Sequence, residues 1–99
     1  MEPLNNSQLR QLKGKAQLLE PVLNIGKEGL SNGFLKSMEV ALDSHELLKV
    51  KFVAFKEEKK QLAPLLAEKT NSHLIMRVGN VAVFYRAQSD PAKRRIKFD

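Results

Sequence analysis

Ninety-nine residues at 42% apolar content make one domain with a modest core, too short for a second folded unit. Seventeen Lys and Arg against 11 Asp and Glu leave a net charge of +6, which favours nucleic acid ahead of an anionic membrane surface through a long-range, salt-dependent field. The lack of cysteine excludes disulfides, thiolate zinc sites and cysteine nucleophiles, and no stretch approaches the ~20 apolar residues of a membrane span.

Met1 to Ser7 carry no basic stretch followed by an apolar core, so no signal peptide is expected and a cytoplasmic chain is. A helix is expected from about Ser7 to Leu19, because Leu9, Leu12, Ala16 and Leu19 repeat on one face of a 3.6-residue period. Asn6 or Ser7 supplies its N-cap. Gly14 interrupts it at a cost of ~1 kcal/mol, which hints at a close packing contact. Arg10, Lys13 and Lys15 line the other face. Pro21 to Ile25 form a first short strand, and Gly26-Lys27-Glu28-Gly29 follows as a loop. Ser31 or Asn32 caps a second helix to about Ser44, with Leu30, Phe34, Met38 and Ala41 or Leu42 as its buried stripe.

Glu46 to Phe55 is the strongest strand signal. Leu48, Val50, Phe52 and Ala54 alternate with Lys49 and Lys51, so one face is apolar and the other carries two lysines. Strand, helix and strand with short joints imply a parallel pair. Glu57 to Asn71 reads as a third helix, with Leu62, Leu65, Leu66 and Lys69 on one side and Glu57-Glu58 complementing its dipole. Pro64 is awkward there: either the helix kinks, or its regular part starts just before the proline. Leu74–Val78 and Val81–Arg86 form a final hairpin through Gly79-Asn80. The expected architecture is a compact α/β domain over residues 1–86, of order α-β-α-β-α-β-β, with a four-stranded mixed sheet. Residues 87–99, including Lys93-Arg94-Arg95-Ile96-Lys97, have little to bury and are expected to form a mobile basic arm.

Catalytic chemistry finds few residues to work with. His45-Glu46 lacks the second histidine four residues on that a zinc-protease helix needs, since position 49 is Lys49. The serines sit in no nucleophile elbow and no P-loop is present. The glycine loop is the feature with a mechanism. It lies between a strand and a helix, where backbone N–H groups and the positive end of the helix dipole meet an anion, with Lys27 as a nearby charge. The alternative for the two glycines is a tight turn that needs positive φ.

Three segments carry a family resemblance: Pro21 to Leu30, Ser44-His45-Glu46-Leu47-Leu48-Lys49-Val50-Lys51-Phe52, and Val78-Gly79-Asn80-Val81-Ala82-Val83-Phe84-Tyr85-Arg86. In this order and spacing the chain resembles the YhbY-like proteins, which consist of a single CRM domain (chloroplast RNA splicing and ribosome maturation), over about residues 4–86. The resemblance implies an RNA-binding module similar in fold to the C-terminal domain of bacterial translation initiation factor three. It implies association with the maturing large ribosomal subunit; with no catalytic constellation in the sequence, a monomer without catalytic activity, cofactor or metal is expected. It compares Gly26, Lys27, Glu28 and Gly29 with the loop by which KH domains clamp a nucleotide backbone. Glu28 offsets Lys27, which moves the phosphate contact to the backbone N–H groups. The expected interface adds Arg10, Lys13, Lys15, Lys49, Lys51, Arg77, Arg86, Lys93, Arg94, Arg95 and Lys97 to that loop. Five Phe and one Tyr argue against a base-stacking platform of the RRM kind, so recognition of shape and backbone is expected. A module that binds an acidic protein partner is the rival reading.

Overall fold

The computed structural model describes residues 3–99; Met1 and Glu2, where the expected domain begins, lie outside the described residues. The elements run α1 (Asn6–Ala16), β1 (Pro21–Ile25), α2 (Asn32–His45), β2 (Leu47–Phe52), α3 (Lys59–Lys69), β3 (His73–Val78) and β4 (Val81–Tyr85), with a short 3-10 turn at Pro91–Lys93. The expected order and the four-stranded mixed sheet are both present. Strands lie side by side as β1-β2-β4-β3, with β1 and β2 parallel and the other two pairings antiparallel.

The two-residue period of the strands decides the layers. Ile25, Leu48, Val50, Phe52, Ala82 and Phe84 pack with Met38 and Leu42 of α2 and Ala63, Leu66 and Ala67 of α3. The alternate residues Leu47, Val83 and Tyr85 join Ile75 against Leu12 and Ala16 of α1. α1 therefore covers the face of the sheet opposite α2 and α3. Phe52 and Phe84 are both fully buried, each worth about 2–3 kcal/mol of transfer free energy.

Helix boundaries follow their caps. The α1 cap is Asn5, one residue before the expected candidates: its Oδ1 accepts from the Gln8 N–H at 2.8 Å, and Gln8 Oε1 accepts from the Asn5 N–H at 3.0 Å. Ser31 caps α2, its Oγ accepting from the Phe34 N–H at 3.1 Å. A β-carbon built on Gly14 would meet nothing within 4 Å, so the expected packing contact is absent. α3 runs through Pro64, which is exposed, so the Lys60 carbonyl that the proline cannot pair faces water. Its buried side is Ala63, Leu66 and Ala67 rather than the expected leucine stripe; Leu65 is 39% exposed, and the two alanines let the helix sit close to the sheet. Glu57 and Glu58 precede α3 and form no side-chain cap.

β2 ends at Phe52, three residues before the expected limit. The Val53 and Ala54 N–H groups both donate to the Ile25 carbonyl at 3.0 Å, which pulls the chain off the strand line toward the end of β1. Two ends of the sheet result. One holds Ile25, Phe52 and the Gly79-Asn80 turn, with Gly79 at φ +58. The other holds Leu47, His73 and Tyr85, about 17 Å away along the strands at ~3.3 Å per residue.

Candidate nucleic-acid interface

The glycine loop leaves the end of β1 and feeds the N-terminus of α2. A hydrogen bond from the Gly29 N–H to the Gly26 carbonyl, 3.0 Å, closes it into a turn. The two glycines have different reasons to be there. Gly29 sits at φ +63, which favours glycine over any other residue, and a β-carbon on it would lie 3.4 Å from the Phe55 ring. Gly26 has no such need: its φ lies outside the left-handed region, and an added β-carbon would meet nothing within 4 Å. Nothing among the described residues demands a glycine there, and its bare backbone is open to approach from outside. The Lys27 and Glu28 N–H groups, and those of Asn32 and Gly33 in the first turn of α2, have no partner among the described residues. These donors at the positive end of a helix dipole form an anion-accepting surface.

Charge around this end is unspent. Among the described residues Arg86 alone, of the 17 Lys and Arg side chains, lies within ion-pair distance of a carboxylate. Lys51 is exposed and its backbone pairs with Asn24, two residues before Gly26, so it flanks the loop. Lys49 lies deeper on the same face, and its Nζ donates to the Leu19 carbonyl at 2.8 Å, tying the α1–β1 joint to the sheet. Lys56 follows Phe55 directly, and Lys59 Nζ donates to Asn80 Oδ1 at 2.9 Å, linking the loop before α3 to the hairpin. The alternation signal in β2 gave no hint that the Phe55 ring would reach the glycine loop. Arg77 is exposed on β3, at the same end of the sheet but on its far edge. Arg10, Lys13 and Lys15 are exposed on α1, against the opposite face from α2.

The remaining expected contacts gather at the other end, and two expectations change there. Arg86 is a structural residue. Its Nη1 donates to Glu39 Oε2 at 2.6 Å and to the Thr70 carbonyl at 2.7 Å, and its Nη2 reaches Asp43 Oδ1 at 3.0 Å. The guanidinium thus joins α2 to the C-terminal end of α3, where a cation also complements the helix dipole. The segment from residue 87 onward departs from a mobile arm. Ile96 and Phe98 pack against the α1-side core, and Phe98 meets the Tyr85 ring edge-on with centroids 6.0 Å apart. Glu46, only 1% exposed, holds the segment from within. Its carboxylate accepts from the Gln88 N–H at 2.8 Å, the Arg95 N–H at 2.7 Å and the Ile96 N–H at 3.0 Å. Burial first, then this carboxylate, push the Tyr85 hydroxyl above its ordinary pKa. Lys93 and Arg95 share a cleft with Asp43 and Glu46 at the negative end of the α2 dipole, so these cations face the protein's own acidic end.

The other buried polar side chains are satisfied too: Thr70 Oγ1 donates to the Leu66 carbonyl at 2.8 Å and lies 2.8 Å from Ser72 Oγ. Among the described residues no helix is long and apolar enough to cross a membrane.

Comparison with known proteins shows what the chain is similar to. The CRS1/YhbY (CRM) domain profile matches residues 4–86. A Pseudomonas aeruginosa protein named a probable RNA-binding protein is 35% identical over 91 residues, covering 91% of this chain and 88% of that one. A Haemophilus influenzae protein named an RNA-binding protein is 36% identical over 91 residues, covering 91% and 92% of the two chains. The solution structure of a Staphylococcus aureus protein, described as a candidate RNA-binding protein, superposes with a TM-score of 0.79 at 31% identity, over 98% of this chain and all of that one.

Proposed function

The chain belongs to the CRS1/YhbY (CRM) domain family, and from that premise we propose that it binds RNA through the glycine end of its sheet, without catalysing a reaction on it. The single observation that carries the reading is the loop itself. Gly26 leaves the backbone bare between β1 and α2, beside N–H donors that have no partner among the described residues at the head of α2. Lys27 and Lys51 supply the local field, and Lys56 extends it. Arg10, Lys13, Lys15, Lys49 and Arg77 contribute charge at longer range. The names of the relatives support RNA as the ligand class. The ligand we assign is ribosomal RNA of a maturing large subunit, bound by a monomer in the cytoplasm. A backbone clamp suits that role, since it grips a strand segment without selecting its sequence.

Filter binding of large-subunit rRNA fragments across a salt series tests it. About four single-strand phosphate contacts predict a log–log slope of about −3. Gly26→Asp puts a negative charge where the phosphate sits and is expected to lower affinity about 100-fold, close to ~2.7 kcal/mol. Its melting temperature should change little, because a β-carbon there meets no atom within 4 Å and the position needs no positive φ. A flat salt response from folded protein would overturn RNA binding in favour of an acidic protein partner. Sedimentation of cell extract tests the ribosomal assignment: the protein is expected to travel with precursor large subunits, and its absence from them would sink that part.

A further inference from the structure

Phe55 is out of place by two independent measures. It is 39% exposed, while every other aromatic ring is buried or packed against a core cluster: Phe52, Phe84 and Tyr85 are buried, and Phe34 and Phe98 lean on the two cores. It also holds φ +55, a conformation that costs a bulky side chain on the order of 1–2 kcal/mol and that glycine or asparagine would adopt more cheaply. Stability alone would not keep a phenylalanine here. The strained backbone lays the ring against Gly29, with the nearest ring carbon 3.4 Å from where a β-carbon would stand, and leaves more than a third of the residue open to solvent. Lys56 follows it directly in the chain.

We propose that Phe55 is a base-stacking subsite: one unpaired nucleobase of a single-stranded RNA segment lies on its ring while the adjoining phosphate is held at the glycine loop. The subsite rests on the RNA-binding reading and adds to it a preference for unpaired nucleotides. A bare phosphate clamp does not supply that preference, because a duplex also presents phosphates. One ring accepts one base, and every base has a π face, so the subsite selects strandedness rather than sequence. Gly29 belongs to it as well, since its φ of +63 favours glycine and the ring lies in contact distance of the position a β-carbon would take.

The test compares octauridylate with an abasic ribose-phosphate strand of equal length and charge. Wild-type protein is expected to bind octauridylate about tenfold more tightly, the size of a single stacked base. Phe55→Gly suits the positive φ and is expected to fold. It should lower octauridylate affinity to the abasic level while leaving abasic affinity unchanged. The chain has no tryptophan, so Phe55→Trp adds a unique reporter whose fluorescence octauridylate should quench and the abasic strand should not. Equal wild-type affinity for the two strands overturns the subsite and leaves the backbone clamp standing. A Phe55→Gly loss that falls equally on both strands, or an unquenched Trp variant, also overturns it, the ring then only shaping the loop. Failure of wild-type protein to bind either strand overturns the RNA reading and the subsite with it.

Discussion

At the glycine end of the sheet Lys27, Lys51 and Lys56 are exposed and meet no carboxylate among the described residues, whereas at the other end Arg86 is locked to Glu39, Asp43 and the Thr70 carbonyl. The polar backbone is treated in the same two ways. N–H groups of Lys27 and Glu28 lack partners, while those of Gln88, Arg95 and Ile96 converge on one buried carboxylate. Both regions are basic in sequence, so net charge alone does not mark an interface. Apart from Arg86 the cations of both ends meet no carboxylate among the described residues, so what distinguishes the ends is whether the backbone donors are already committed. The glycine end leaves backbone donors without partners among the described residues, and the tail end uses its own to close the fold.

The sharpest way to break this contrast is to remove the carboxylate that organises the tail end. Glu46→Ala strands three N–H donors that together are worth about 3 kcal/mol, and the cheapest relief is for residues 87–99 to leave the surface and hydrate them. The expected outcome is a clear drop in melting temperature, with loss of amide-exchange protection at Arg95 and Ile96. RNA affinity at the glycine end should not fall, because freed cations on the tail strengthen non-specific attraction. A variant that melts normally but binds RNA weakly would reverse the roles of the two ends.

Sequence legibility divides along the same line. The alternation of Leu48, Val50 and Phe52 with Lys49 and Lys51 announced β2, and the glycine loop before the Phe34–Met38–Leu42 stripe announced the turn into α2, because each signal is local. Glu46 read as the first residue of a strand. Its three partners lie 42 to 50 residues later, and no periodicity reports a bond between a carboxylate and distant backbone. For Arg86 a carboxylate partner was open as an alternative to RNA, but not which one, its carboxylates lying 47 and 43 residues earlier. In the tail the basic run Lys93-Arg94-Arg95 masked Ile96 and Phe98, whose burial depends on α1 and Tyr85. Phe55 looked like one more apolar strand residue, because a positive φ at a non-glycine leaves no trace in composition.

Gly14 gives a smaller and cleaner test, because it belongs to neither end. It is exposed in α1, and a β-carbon there meets nothing within 4 Å. Gly14→Ala is expected to stabilise the fold by about 0.5–1 kcal/mol through helix propensity alone, read as a rise in the urea midpoint at constant m-value. RNA affinity should stay fixed. If the gain in stability comes with a loss of binding, α1 belongs to the interface more directly than its place on the opposite face allows.

The smallest effect is a pH dependence confined to the tail end. His73 stacks on Tyr85 with ring centroids 6.2 Å apart, and burial lowers its pKa below the ordinary value of 6.5. The folded state therefore prefers the neutral imidazole, while the unfolded chain takes up its proton near pH 6.5. The His73 contribution is fully present above that value and is lost as pH falls from 6.5 through the folded-state pKa. Melting curves between pH 7.5 and 5.5 should show wild type losing stability toward acid faster than His73→Gln, with a modest difference because the side chain is only half-buried. No histidine lies in the glycine loop or in the segment from Val53 to Lys60, so RNA affinity at fixed salt should run parallel for the two proteins across the same window. Parallel melting slopes would remove His73 as the titrating group, and diverging affinities would show that the two ends communicate.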